Sequence, residues 1–298
     1  MRLVPCTAIL LLACAAPCRA ADEPAASPGR PFWKPLVEDH WRHVTLVVLT
    51  WAADEQIDRQ VGPRGRPLIL GSPPIFDEEV RDHFRRGDGD TRPHGFIENH
   101  ASGVTGTIAA GAILASAGPR WRDDVTDFLG LWEAHRFNIA MTGIVKNAVG
   151  RERPELEFAA EDGASPREIR RLRGQDDNHR SFYSYHASSA LTTLSYADFV
   201  LLRRLAVHPI ARRWTHVGLY TLGAYIAWTR VLQDAHYLSD VAIGSVAGAL
   251  VGRSFYSFNH PDGLDHRLSW DPIGSRAISF APPVPIPGGV VVLAKIPL

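Results

Sequence analysis

Apolar positions recur at helical spacing along most of this chain, broken by short polar or glycine- and proline-rich stretches. Val44, Leu46, Val47 and Val48 precede a charged run that begins at Asp54, which predicts a helix over 41–54. A short amphipathic helix is expected over 75–86, stopped by Gly-Asp-Gly-Asp at 87–90. Small residues fill 101–117, the pattern of a helix that packs closely against a neighbour. Longer periodic stretches predict helices over 124–149, 186–205, 214–228 and 241–252, the last with Ser239 as its N-cap. Gly244, Gly248 and Gly252 fall on one face of that last helix and predict a tight helix–helix contact.

Glycine and proline make 60–74 a loop. The charged stretch 155–180 reads as an excursion over the mouth of a site, with a solvated surface helix at 166–173. After Tyr256 the chain turns proline-rich, and 277–280 is expected to pair with 290–296 as a small hairpin. The pattern therefore predicts an all-α helical bundle over 41–258, preceded by a flexible lead-in at 21–40 and followed by an irregular tail at 259–298.

Composition changes this picture at the ends. Arg2, a mostly apolar run from Leu3 and the small-residue stretch Cys-Arg-Ala at 18–20 make 1–20 a signal peptide. Its removal takes all three cysteines, which suits export to the periplasm. Leu-Leu-Ala-Cys at 11–14 offers an alternative, an outer-membrane lipoprotein anchored through Cys14. Only 101–119 is free of charge over a length near a membrane span, and mean hydropathy is −0.09, so a water-soluble mature domain is expected. The 32 basic and 32 acidic residues balance, which argues against a nucleic-acid partner.

Three lysines stand in the whole chain, and one of them, Lys146, opens the first of three ordered stretches. Lys146 is followed at a spacing of six residues by Arg153-Pro154. Ser184 and His186 come next, in Tyr-Ser-Tyr-His at 183–186. Arg230, His236 and Asp240 then follow as Arg-x5-His-x3-Asp. A carboxylate four residues beyond a histidine reaches its ring across one helical turn, or across a turn entering a helix. There it would accept the Nδ1 proton and leave Nε2 bare as nucleophile or base. Arg230 adds a permanently charged fork suited to a tetrahedral oxyanion.

The order, internal spacings and gaps of these stretches resemble the three-part signature of the type 2 phosphatidic acid phosphatase superfamily. That superfamily also contains bacterial acid phosphatases and vanadium haloperoxidases, and the resemblance covers about 100–255. It implies a helical phosphatase in which His236 attacks phosphorus, Asp240 orients it, and His186 protonates the leaving oxygen and then activates water. It implies that Lys146, Arg153, Ser184 and Arg230 hold the phosphate oxygens. It also implies a substrate that is a small-molecule or lipid phosphate, with peripheral membrane contact possible and no metal or other cofactor required.

The sequence departs from that signature where Tyr183 and Tyr185 replace the usual proline and glycine of Pro-Ser-Gly-His. Tyr185 forfeits glycine's conformational freedom and offers a phenol to the phosphate site instead. Two alternatives follow from the same resemblance. One is a haloperoxidase with vanadate as cofactor, for which the chain is short and shows no convincing halide pocket. The other is a non-catalytic phosphate- or lipid-binding relative.

Overall fold

A computed structural model of the chain describes residues 33–61, 75–84, 100–117, 121–204 and 209–260, together with four short strands in the tail. Nine α-helices are present among these residues: α1 Trp33–Val61, α2 Ile75–Phe84, α3 Ala101–Ala115, α4 Trp121–Val149, α5 Pro154–Glu157, α6 Pro166–Arg173, α7 Tyr185–Arg204, α8 Pro209–Leu232 and α9 Leu238–Asn259. A single 3₁₀ turn covers Asp176–His179. The signal segment, the loop at 62–74 and the end of α2 proposed at 85–86 lie outside the described residues.

The bundle is built around α7, whose residues from Ala187 to Leu201 are all buried. It packs against α9, α8, α3 and α4, while α1 runs along α4. Many of its residues are serine and threonine, which a core accepts only if the hydroxyls are satisfied. They bond to their own helix: Thr192 Oγ1 donates to the Ser188 carbonyl at 2.8 Å and Thr193 Oγ1 to the Ser189 carbonyl at 3.1 Å. Small side chains then let α9 come in close. A methyl group added at Gly248 would overlap the Ser188 carbonyl, and one at Gly252 would overlap Ser195 and the Thr192 carbonyl. The glycine face predicted from sequence is thus the α7–α9 seam. Gly248→Val is expected to cost at least about 2 kcal/mol by forcing the two helices apart; the midpoint of urea unfolding measures it.

Several boundaries differ from the sequence expectation: α1 begins at Trp33, inside the expected lead-in 21–40, and runs through 60–61 of the expected loop, while α8 and α9 are longer at both ends. Two of these differences have a physical reason. α1 continues past Asp54 to Val61 because the acidic residues there face the bundle. Asp54 lies against Gly143, and Asp58 pairs with Arg180 and accepts from Asn147 Nδ2 at 3.5 Å. α9 begins at Leu238, so Ser239 is its second residue and not its N-cap. The Ser239 hydroxyl donates to Asp77 Oδ2 on α2 at 2.5 Å, and its N–H to Asp77 Oδ1 at 2.8 Å. Asp240 closes the first turn instead, accepting from the Tyr237 N–H at 3.3 Å.

α3, within the charge-free stretch 101–119, has 15 residues and is too short to span a bilayer. Among the described residues α9 alone is long and apolar enough to cross a membrane, with a mean hydropathy of 1.2.

The chain divides after Asn259 into two units. In the tail, Ser279–Phe280 pairs antiparallel with Ala294–Lys295, and Val284–Ile286 with Gly289–Val291. These are nested hairpin rungs, with the outer one in the segments where the sequence placed it.

Candidate active site

The site forms where the end of α4, the start of α7, the end of α8 and the start of α9 meet. α4 delivers Lys146 in its last turn, and the chain then reverses through Gly150, whose φ of 59° is in the left-handed region that glycine enters without strain. That turn sends Arg151 and Arg153 back toward the bundle. The Arg153 N–H donates to the Asn178 carbonyl at 2.8 Å, and the Ser181 N–H to the Arg151 carbonyl at 2.8 Å. The excursion 155–180 is thereby stitched to the motif at both ends.

Between α8 and α9, Asp234 has a φ of 58°, which aspartate tolerates better than most residues. Arg81 on α2 holds its carboxylate with paired bonds of 2.8 Å, one from Nε and one from Nη2. The tight turn lets the N–H groups of Ala235 and His236 both donate to the Arg230 carbonyl, at 3.2 and 3.3 Å. Arg230 and His236 are thus fixed to each other through backbone.

His236 and Asp240 are buried, and their direct contact is longer than the sequence implied. Asp240 Oδ2 lies 3.9 Å from His236 Nδ1, too far for a hydrogen bond. Ser181 stands between them. Its hydroxyl donates to Asp240 Oδ2 at 2.5 Å and lies 3.3 Å from His236 Nδ1. The expectation that Asp240 accepts the Nδ1 proton directly is corrected accordingly: the serine relays the contact. Asp240 Oδ1 receives Arg151 Nη1 at 2.6 Å, and Arg151 also reaches Ser239 Oγ at 3.1 Å. Neither Ser181 nor Arg151 was selected from sequence. Arg151 carried a faint signal, being a second arginine two positions before Arg153-Pro154.

Lys146, Arg153, Arg230, His186 and His236 lie within electrostatic reach of one another. Burial, followed by the charges of Lys146, Arg153 and Arg230, holds His236 well below the usual histidine range. Burial and then Arg230, Lys146 and Arg153 lower His186 to about 3. Lys146 itself is lowered to about 7, by burial first and by Arg153 next. Burial raises Asp240, against the pull of Ser181 and Arg151. A cluster of cations that suppress one another's protonation is short of negative charge, and a bound oxyanion supplies it.

The remaining predicted residues take more local roles. Lys146 Nζ donates to the Arg180 carbonyl, and Arg230 Nη1 donates to Gln233. Arg153 pairs with Asp177 at 2.5 Å and keeps a buried Nε without a partner. Ser184 is fully buried; its hydroxyl accepts weakly from the Ala187 N–H at 3.5 Å, and its N–H donates to the Asp240 carbonyl at 3.1 Å. Tyr185 is the first residue of α7, its ring against that of His186 at 5.6 Å. Its φ is not positive, so replacing the expected glycine costs no backbone strain there.

The lowered value of Lys146 fixes the sign of a pH effect. In the anion-free protein Lys146 loses its proton as pH rises through about 7, whereas in the unfolded chain it keeps it to near 10. The unfolded state therefore binds more protons between these values, and Lys146's contribution to stability rises with pH across that window. Anion binding runs the other way, because it needs the ammonium. Sulfate keeps its charge over this range, so its affinity is expected to fall about tenfold per pH unit above 7. Calorimetric titration between pH 6 and 9 checks this; an unchanged affinity would place Lys146 outside the anion site.

Residues 129–263 match the PAP2 superfamily. Diacylglycerol pyrophosphate phosphatase 1 of Saccharomyces cerevisiae is 28% identical over 166 residues, covering 50% of this chain and 56% of that protein, so the chain spans about half the length of this curated relative. Among solved structures, the transmembrane PAP2 type phosphatidylglycerolphosphate phosphatase from Bacillus subtilis is similar at 15% identity. That likeness covers 77% of this chain and 98% of the other at a TM-score of 0.40.

Proposed function

Since residues 129–263 match the PAP2 superfamily, we propose that this chain is a phosphoric ester hydrolase acting on lipid or small-molecule phosphates through a phosphohistidine. The observation that carries the reading is the buried His236, met at Nδ1 by Ser181, which donates to Asp240, beside His186 and inside the cationic set of Lys146, Arg153 and Arg230.

In this reading His236 Nε2 attacks phosphorus in line with the ester oxygen, the N–P bond forms and the P–O bond to the leaving group breaks. His186 gives its proton to the departing oxygen. It is neutral in the anion-free site, and the substrate's negative charge lifts it toward protonation, so the acid is made by binding. His186 then takes a proton from water, which attacks phosphorus and releases phosphate from His236. Lys146, Arg153 and Arg230 stabilise the equatorial oxygens where charge collects. These fixed cations do what a metal does at other phosphoryl-transfer sites, and turnover independent of divalent metal is expected.

A lipid phosphate is the favoured substrate class. The curated relative is a lipid phosphatase by name. Large apolar side chains also stand exposed on three helices: Leu49 and Trp51 on α1, Ile210 and Trp214 on α8, Val246 and Leu250 on α9. Such faces suit contact with a lipid surface, reached after export through the segment 1–20. The test is phosphate release from phosphatidic acid, an isoprenoid diphosphate and p-nitrophenyl phosphate, each with chelator and with vanadate. Turnover that survives chelation and is blocked by vanadate supports the reading. Activity lost with chelator and restored by magnesium would overturn it.

A further inference from the structure

We propose that His40, His43 and Glu133 form a structural site for one divalent d-block cation of the zinc class, clamping α1 to α4. The two histidines are three residues apart on α1 and so share a face. Glu133 comes from the facing side of α4. His40 Nδ1 lies 2.9 Å from Glu133 Oε1, and His43 Nδ1 lies 2.8 Å from Oε2. One ligand atom from each of the three falls within 4.8 Å of the others. Two imidazoles and a carboxylate are a donor set that zinc takes with bonds of about 2.0–2.2 Å, which places neighbouring ligand atoms of a tetrahedron about 3.3 Å apart. To hold it, the two N···O pairs open by about 0.4–0.5 Å, and the widest pair of ligand atoms, at most 4.8 Å apart, closes by up to about 1.5 Å.

Charge balance points the same way. All three side chains are buried, at 5%, 3% and 1% exposure. Among the described residues no lysine or arginine pairs with Glu133. A buried carboxylate is normally paired or bound to metal, and here its partners are two rings. The Nε2 atoms of both rings are buried without hydrogen-bond partners. Phe255 and Phe258 lie beside the His43 ring, 5.4 and 4.8 Å between centroids. Among the described residues nothing polar anchors either ring except the cluster itself. A divalent cation turns this isolated negative charge into a cross-link between two helices.

The site is structural and not part of the phosphate pocket. Glu133 lies 13 residues before Lys146 on α4, about 20 Å away at a helical rise of 1.5 Å per residue. The inference therefore stands apart from the proposed hydrolase reading, which could fail without touching it.

The experiment uses the full-length chain, stripped with chelator and titrated with zinc. One equivalent is expected to bind, and the melting temperature to rise by about 5–10 °C when zinc is at about 100 times its Kd. His43→Gln and Glu133→Gln should each weaken binding by at least about 100-fold and remove that rise. If those variants fail to fold, cobalt titration of a His186→Ala, His236→Ala double variant decides, because the pocket histidines then contribute nothing. Strong visible d–d bands of four-coordinate cobalt with two imidazoles support the site. An unchanged melting temperature with zinc, a cobalt spectrum of the hydrated ion, or zinc held as tightly by a folded His43→Gln chain would overturn it.

Discussion

Replacing His236 by alanine is expected to lower phosphate release by at least about 10⁴-fold and to abolish any acid-labile phosphoenzyme. The side chain is fully enclosed, and its Nδ1 is spent on Ser181 and, through it, Asp240. His186 lies among the same cations, but among the described residues no carboxylate is hydrogen-bonded to its ring, and Asp177 reaches it only electrostatically. His186→Ala should behave differently with leaving group. An ester with a good leaving group barely needs protonation, so phosphorylation of His236 should persist while its hydrolysis slows. Labelled phosphate would then collect on the His186 variant and be absent from the His236 variant. Label on the His236→Ala chain would mean that the nucleophile lies elsewhere.

Asp240→Asn is the second large effect, and it should appear in two readouts. The carboxylate is completely buried and paired with Arg151 at 2.6 Å. Neutralising it removes a charge partner of the Arg151 guanidinium from a buried pair, for which a loss of up to about 3–5 kcal/mol of stability is expected. It also breaks the chain of contacts that sets the His236 tautomer, for which about a 10³–10⁴-fold fall in kcat is expected. Ser181→Ala separates the two. It keeps the Arg151–Asp240 pair and removes only the hydroxyl, so stability should fall by about 1 kcal/mol while kcat drops by about 10–100-fold. If Ser181→Ala turned over as fast as the parent, Asp240 would act on His236 without the serine. Urea unfolding and steady-state kinetics on the same preparations read both effects.

Much of this molecule is local and was therefore legible in the sequence. Helical periodicity located the elements of the bundle, the surface helix 166–173 was placed residue for residue, and the glycine repeat of α9 announced its seam with α7. The three ordered stretches named Lys146, Arg153, His186, Arg230, His236 and Asp240, because spacing within a turn or a helix constrains which side chains share a face. What the sequence did not disclose are pairings between elements far apart in the chain. Ser181 reaches Asp240 across 59 residues, Asp77 holds Ser239 across 162, and Glu133 meets His40 across 93. No periodicity records which face of one helix meets which face of another. Those choices are made when the helices pack and each buried polar group must find a partner. Packing is also why a serine, rather than the aspartate alone, touches the histidine: the pitch of α9's first turn leaves 3.9 Å between carboxylate and ring, and the chain entering α7 fills it.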